Sequence, residues 1–199
     1  MDDSGARAHA RGAGARLRRK GIMEEQLLAF LSMLEDATSR IGTDYFQLPI
    51  HDADAMYRER VYCYELYHQL RCAFGDFPFS LGGEVDKVGH PHFAGTRYAR
   101  SKPDLLVHAP GNMNRNLAIV EVKRATASRD DIRRDLRKIK WFCNHAAYSG
   151  GVFLVYGEAR NPDTLAQKIR EAADKTSTDL TRVTCLHHRQ VRERAQRIL

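Results

Sequence analysis

This sequence of 199 residues has no long hydrophobic run and few cysteines, and both absences restrict what the protein can be. No apolar stretch approaches the roughly 18 residues that a membrane span requires, and no segment has the apolar centre of a secretory signal. The four cysteines, Cys63, Cys72, Cys143 and Cys185, form no C-x-x-C pair and no histidine spacing typical of zinc sites. We therefore expect a soluble, cytoplasmic protein in a reduced compartment, without membrane contact and without a metal held by cysteine.

Acidic residues are outnumbered by basic ones, and the net charge of +7 is concentrated near the start of the chain. Residues 1–21 contain six arginine or lysine residues and two aspartates among alanine and glycine. Such a segment cannot bury enough apolar surface to offset the entropy of ordering, so we expect a disordered tail. Three interpretations stay open: the tail binds a polyanion, it precedes a natural start at Met23, or it is an arginine-rich presequence.

The remaining residues, 22–199, suffice for one domain with a hydrophobic core and are too few for two. Helical spacing of apolar residues predicts a helix from Met23 to Arg40 and a second over about 55–74. The elements predicted after these are strands over 77–89, 103–109 and 117–125, a helix over 128–146, a strand over 150–158, a helix over 161–175 and a strand over 180–188. This order predicts an α/β domain whose mixed sheet is an antiparallel hairpin group extended by parallel strands.

The run NLAIVEVKRA, residues 116–125, combines a buried strand with charge. Alternate residues of a strand project from the same face, so Glu121 and Lys123 lie side by side at its end. An exposed ion pair of this kind contributes little to stability, and the pair alone has that simpler explanation. However, Asp104 stands at the start of the preceding strand, and the turn PGNMNRN predicts a hairpin that brings it near Glu121. Two carboxylates beside a lysine suit Mg²⁺ and a substrate phosphate.

The arrangement Pro103-Asp104 followed by Glu121-Val122-Lys123 resembles the PD-(D/E)xK phosphodiesterase superfamily, which includes restriction endonucleases, Holliday-junction resolvases and RecB-like nucleases. The resemblance covers roughly residues 57–156. It implies a restriction-endonuclease-like mixed sheet flanked by helices. It also implies that Asp104 and Glu121 bind Mg²⁺, which Mn²⁺ can replace, and that Lys123 is the catalytic base or positions the attacking water.

In this family a helical acid completes the site, and the second predicted helix offers two. Glu59 lies on the buried stripe of that helix with Cys63 and Leu66, so it needs a metal or another partner, whereas Glu65 lies on the more polar side. We therefore favour Glu59 as the third metal ligand. Glu84 remains an alternative, because a strand edge could also bring it to the metal. The pair His90 and His92 is more simply an incidental feature of a glycine-rich loop.

The helix after the motif is rich in basic residues, among them Arg134, Arg137 and Lys138. Charged runs are usually solvated faces, yet these follow directly after the predicted metal site, where phosphates would lie. We therefore predict that Arg134, Arg137 and above all Lys138 bind nucleic acid.

Together the residues and the family resemblance predict a Mg²⁺-dependent nuclease that hydrolyses DNA, and the resemblance implies a role in defence, repair or mobile-element processing. The alternatives are a non-catalytic module that binds nucleic acid or a partner protein, and a plain scaffold. The sequence leaves open whether the substrate is DNA or RNA and whether the enzyme is an endonuclease or an exonuclease. It also leaves open whether the protein forms a homodimer and whether a helicase, a methylase or another partner targets it.

Overall fold

A computed structural model describes residues 4–159 and 161–199 as a six-stranded mixed sheet with helices on both faces. This confirms the predicted α/β class and mixed sheet. The helices are α1 (Ser4–Thr38), α2 (Thr43–Phe46), α3 (Glu59–Phe74), α4 (Arg129–His145) and α5 (Pro162–Thr176). The strands are β1 (Leu48–Ile50), β2 (Ala53–Met56), β3 (Ser80–Gly83), β4 (Leu105–His108), β5 (Asn116–Arg124), β6 (Tyr148–Tyr156), β7 (Val183–His188) and β8 (Gln196–Arg197).

The strand order in the main sheet is β3-β4-β5-β6-β7-β8. Strands β3, β4 and β5 pair antiparallel, β6 and β7 are added in parallel, and the short β8 closes the edge antiparallel to β7. The change from antiparallel hairpins to parallel additions was predicted from the order of elements, whereas β8 was not. Helix α4 connects β5 to β6, as a crossover between parallel strands requires.

Alternation along the central strands divides the core into two layers. Val120 and Val122 of β5 face the layer formed with α1, α2 and α3, whereas Ile119 faces the layer formed with α4 and α5. Because alternate residues share a face, Glu121 and Lys123 lie on the same side as Ile119. The charged end of β5 therefore meets α4.

Helix α1 differs from its predicted bounds, because it begins at Ser4 rather than Met23. A disordered tail was expected over 1–21, of which residues 1–3 lie outside the described part of the chain. Alanine and arginine are among the best helix formers, so this segment continues the helix that Phe30 and Leu34 anchor in the core. Within residues 4–159 and 161–199, no helix combines the length and hydropathy needed to cross a membrane.

Further segments differ from the sequence prediction. The strand predicted over 77–89 is limited to Ser80–Gly83, and the helix predicted from about residue 55 begins at Glu59. Residues 48–56 form the small antiparallel hairpin β1–β2, for which no strand was predicted. The basic segment after β7, for which no element was predicted, contains the short strand β8 and is held by ion pairs: Arg194 pairs with Glu35 at 3.1 Å, and Arg197 pairs with the same carboxylate at 3.5 Å. These two arginines thus fasten the end of the chain to α1.

Candidate functional site

The hairpin of β4 and β5 brings Asp104 and Glu121 together. Leu105 pairs with Val120, so Asp104, one residue before β4, stands opposite Glu121. Oδ2 of Asp104 accepts a hydrogen bond of 2.7 Å from the amide of Val122, which fixes the carboxylate at this end of the sheet. The juxtaposition expected from the turn sequence is therefore present.

Glu59, the first residue of α3, reaches the same end of the sheet. Nζ of Lys123 donates to Oε1 of Glu59 at 2.7 Å and to the carbonyl oxygen of Val122 at 3.0 Å. Glu65 lies apart from this group and accepts a hydrogen bond from Gln69. Of the two helical glutamates, the structure thus brings Glu59 to the β5 end.

Helix α4 contributes two more charged side chains. Nζ of Lys138 lies 2.6 Å from Oε2 of Glu121 and 3.5 Å from Oδ1 of Asp135. Oδ2 of Asp135 lies 3.1 Å from Nζ of Lys123, an ion-pair contact without hydrogen-bond geometry. Asp135 therefore joins the two lysines into one network. We call the six residues the acid–lysine cluster; its members are Glu59, Asp104, Glu121, Lys123, Asp135 and Lys138.

Asp135 is the member that the sequence analysis missed. The basic character of α4 drew attention to its arginines and lysines, whereas Asp135 is a carboxylate that is only 2% exposed. A signal was present: Asp135 is three residues after Ile132 and four before Ile139, so it lies on the buried stripe of α4. An acid on such a stripe needs a partner.

The acid–lysine cluster contains two more carboxylates than ammonium groups, and the excess is buried. Glu121 is 1% exposed, and within the described residues its Oε1 has no hydrogen-bond partner. Burial, and next the repulsion from Asp104, raise the pKa of Glu121 well above its usual range. Burial also raises the pKa of Asp104 to about 6, although the hydrogen bond from Val122 opposes this. The cluster therefore favours a proton or a cation near these two carboxylates.

The two lysines stay charged despite their burial. Desolvation alone would lower the pKa of Lys123, but attraction by Asp135 and Glu59 outweighs it, and the pKa is raised. The pKa of Lys138 is raised as well, because attraction by Glu121 and then by Asp135 outweighs its desolvation. An ammonium that holds its proton this firmly donates hydrogen bonds and stabilises negative charge, but it is a poor base.

The three predicted metal ligands are not gathered into one coordination group. Asp104, Glu121 and Glu59 all lie at the same end of the sheet, but Glu121 is turned to Lys138 and Glu59 to Lys123. Across the described residues, no group of three histidine, cysteine, aspartate or glutamate side chains has a geometry suited to a metal ion. Attraction to the lysines accounts for these orientations, because a buried carboxylate takes the nearest positive partner.

Asp104 also borders a cavity of about 350 Å³ between α3 and β3. Glu84 lies beside this cavity and pairs with Arg60 at 3.2 Å, so it neighbours Asp104 without joining the cluster. Cys63 also lines this cavity. Burial, and after it repulsion from the charge of Asp104, raises the pKa of the Cys63 thiol. The thiol is therefore protonated and is not poised as a nucleophile.

A basic groove of about 350 Å³ adjoins the cluster on the α4 side. Its lining residues are Arg97, Tyr98, Arg100, Ser101, Arg134, Arg137 and Lys138. The three basic residues predicted on α4 all lie here, and the loop before β4 adds two arginines that the sequence analysis did not select. Arg134 pairs with Asp131 of its own helix, so part of its charge is neutralised. Lys138 belongs both to this groove and to the cluster.

Comparison with protein-family models, with curated proteins and with solved structures finds no significant match. The acid–lysine cluster and the basic groove are therefore the features from which a function can be inferred. Trp141 and the pair His90 and His92 stay outside both. Trp141 is half-buried and packs against Tyr98 and Phe93. His92 contacts the carbonyl oxygen of His145, and His90 lines a different cavity.

Proposed function

We propose that this chain is a divalent-metal-dependent phosphodiesterase that hydrolyses DNA, with a restriction-endonuclease-like core over residues 57–156. The observation that carries the proposal is the buried excess of carboxylates at the end of β5, beside a groove lined by arginines. A buried negative excess is costly unless a cation or protons compensate it. A basic groove leading to such a site favours a polyanionic substrate.

Asp104 and Glu121 are the side chains that would hold the metal. Their oxygens are hard ligands of the kind that Mg²⁺ and Mn²⁺ prefer, and Oε1 of Glu121 has no hydrogen-bond partner among the described residues. Glu59 would join them once it is released from Lys123. When bound, the metal would stabilise the charge that develops on the phosphate and activate water.

The lysines would then act as hydrogen-bond donors. Lys123, whose raised pKa makes it a poor base, would orient the attacking water rather than remove its proton. Lys138 lines the groove and so would contact a phosphate lying there. Arg97 and Arg100 from the loop, with Arg134 and Arg137 from α4, would bind neighbouring phosphates along the strand.

A non-catalytic module that binds nucleic acid is the second candidate. The pairing of both lysines with proposed metal ligands favours it, because Glu59 and Glu121 already have ionic partners without a cation. In that case the acid–lysine cluster would be a structural element, and the basic groove would bind DNA or an acidic partner protein. Both candidates predict DNA binding, but the nuclease alone predicts metal-dependent cleavage.

The deciding experiment is cleavage of labelled single-stranded, linear duplex and supercoiled DNA with Mg²⁺, Mn²⁺ or chelator. We expect cutting that requires the metal and that Lys123→Ala and Asp104→Ala each reduce at least about a hundredfold, as loss of a transition-state contact does. Glu65→Ala, which removes an acid of α3 outside the cluster, is the matched control and should retain wild-type cleavage. Wild-type protein that binds DNA and cuts none of these substrates would support the non-catalytic module.

The setting of this activity belongs to the proposal as well. We propose a cytoplasmic enzyme of defence, repair or mobile-element processing, which acts as a homodimer or with a helicase, a methylase or another targeting partner. Analytical ultracentrifugation with and without duplex DNA tests the homodimer directly.

A further inference from the structure

A second cavity, of about 280 Å³, lies at the other end of β4 from Asp104. His108, at the end of that strand, lines it and is four residues from Asp104, which corresponds to about 13 Å along a strand. The loop after β3 supplies Lys87 and His90, and the turn before β5 supplies Met113. The cavity is therefore separate from the acid–lysine cluster.

Lys87 is the unusual residue of this cavity because it is only 7% exposed. Within the described residues no carboxylate lies at ion-pair distance from its ammonium, and Nζ stands 5.7 Å from the centre of the Phe93 ring. The adjacent Asp86 is already engaged, since it accepts a hydrogen bond from the amide of Val88 and pairs with Lys102 at 3.2 Å. Lys87 is thus a buried charge without a counter-anion, an arrangement that is costly unless a ligand supplies one.

Asp86 also lines the cavity, but its carboxylate is engaged by Lys102 and the amide of Val88, and two imidazoles of the lining can donate hydrogen bonds. Nδ1 of His90 accepts from the amide of His92 at 3.2 Å, so the neutral ring carries its proton on Nε2. Burial, and next the charge of Lys87, lower the pKa of His108, which therefore has one N–H to donate as a neutral ring. Burial likewise lowers the pKa of Lys87, a cost that a bound anion would relieve.

We propose that this cavity binds the phosphate of a small phosphorylated molecule. Donors reach it from the loop after β3 and from β4, and a tetrahedral oxyanion presents acceptors in several directions at once. The volume exceeds that of one phosphate group, and Val85, Phe93 and Met113 give an apolar wall for a small organic part. The binding site is independent of the proposed nuclease activity, because no residue of the acid–lysine cluster lines it.

An NMR titration of the full chain with phenyl phosphate, followed on the imidazole signals of His90 and His108, tests this site. We expect saturable shifts of both rings, binding weakened at least about tenfold by Lys87→Met, and benzoate binding more weakly than phenyl phosphate. Lys175→Met, which removes an exposed lysine of α5, should bind within about twofold of wild type. Lys87→Gln serves as a second variant if circular dichroism shows that Lys87→Met is misfolded.

Three results would overturn the proposal. The first is the absence of a saturable shift at either imidazole in the wild type. The second is equal weakening by the substitutions at Lys87 and Lys175, which would indicate diffuse attraction to a basic protein. The third is tighter binding of benzoate, which would make the ligand a carboxylate. Because none of these readouts involves DNA cleavage, they are distinguishable from failure of the proposed nuclease.

Discussion

Asp135 pairs with both lysines of the acid–lysine cluster and is not one of the carboxylates proposed to bind metal. Its attraction is the largest contribution that keeps the pKa of Lys123 high against desolvation. Asp135 is therefore a positioning residue, and its effect should be visible in the protonation of the lysine and not only in the rate.

Asp135→Asn should lower the pKa of Lys123 because it removes a compensating charge that lies 3.1 Å from the ammonium. We expect cleavage to fall by about tenfold and the alkaline limb of its pH profile to move to lower pH. Asp130→Asn, on the exposed side of the same helix, is the control. A reduced rate whose pH profile superimposes on that of the wild type would assign Asp135 a purely structural role.

Asp104 gives a prediction about stability. Its pKa is raised from an ordinary value near 3.8 to about 6, so the folded protein binds this proton more tightly than the unfolded chain. This contribution to the free energy of unfolding is complete below pH 4 and is lost as the pH rises through about 6. With chelator present, Asp104→Asn should therefore remove this loss and raise the free energy of unfolding at pH 7.5 by about 1–3 kcal/mol.

The measurement is urea unfolding of wild type and Asp104→Asn between pH 4 and 8. The two stability curves should converge at pH 4 and separate above it. Asp174→Asn, an exposed position on α5, controls for the loss of one charge. Addition of Mg²⁺ should then stabilise the wild type more than the variant. Parallel curves at all pH values would show that ionisation of Asp104 costs nothing in the folded protein.

Among the secondary-structure elements, α4 decides whether the cluster forms, because it carries Asp135 and Lys138. Its close approach to the sheet depends on Gly151 of β6, where an added Cβ would collide with Ile139. Ile139 follows Lys138 directly, so a shift of α4 at this contact would withdraw Lys138 from Glu121.

Gly151→Ala should lower the free energy of unfolding by about 1–3 kcal/mol through overpacking. It should also reduce cleavage, since Lys138 and Asp135 would move with the helix. Gly42→Ala is a suitable control because open space surrounds that position. Thermal unfolding and the cleavage assay, applied to both variants, check the prediction; unchanged stability of Gly151→Ala would show that α4 repacks without loss.

The same elements explain how far the sequence could predict this molecule. The hairpin that pairs Asp104 with Glu121 follows from strand alternation and a turn rich in glycine and asparagine, which are local signals. Asp135 lies on the buried stripe of α4, which its spacing from Ile132 and Ile139 indicates, but its lysine partner from β5 is brought to it only by tertiary packing. The hairpin β1–β2 was missed because β2 is exposed along its length and so lacks an alternating apolar pattern.

Across the whole molecule, the positive charge is arranged so that two elements distant in sequence share the basic groove. Arg97 and Arg100 come from the loop before β4, and Arg134 and Arg137 come from α4. Tyr98 fastens the loop to the helix, because its hydroxyl donates to the carbonyl oxygen of Arg137 at 3.1 Å. The groove is therefore a property of the folded chain and not of one basic segment.

Combined substitution of Arg97 and Arg100 by alanine should weaken binding of duplex DNA of any sequence. If each arginine neutralises one phosphate, the slope of log K against log salt should become less steep by about 2. Fluorescence anisotropy over a salt series measures this slope. Arg71→Ala, on α3 across the sheet, should leave it unchanged, and an unchanged slope in the double variant would place the DNA elsewhere.

Lys138 has a single ammonium, and two anionic groups compete for it: Glu121 in the cluster and the phosphate expected in the groove. A cation that binds Glu121 would break its ion pair with Lys138 and so free the ammonium to bind phosphate in the groove. Conversely, a phosphate that binds Lys138 would leave the Glu121 carboxylate free to bind the cation. By thermodynamic reciprocity each event favours the other to the same degree. Mg²⁺, which ordinarily competes with proteins for DNA, would then act here as a positive effector of DNA binding.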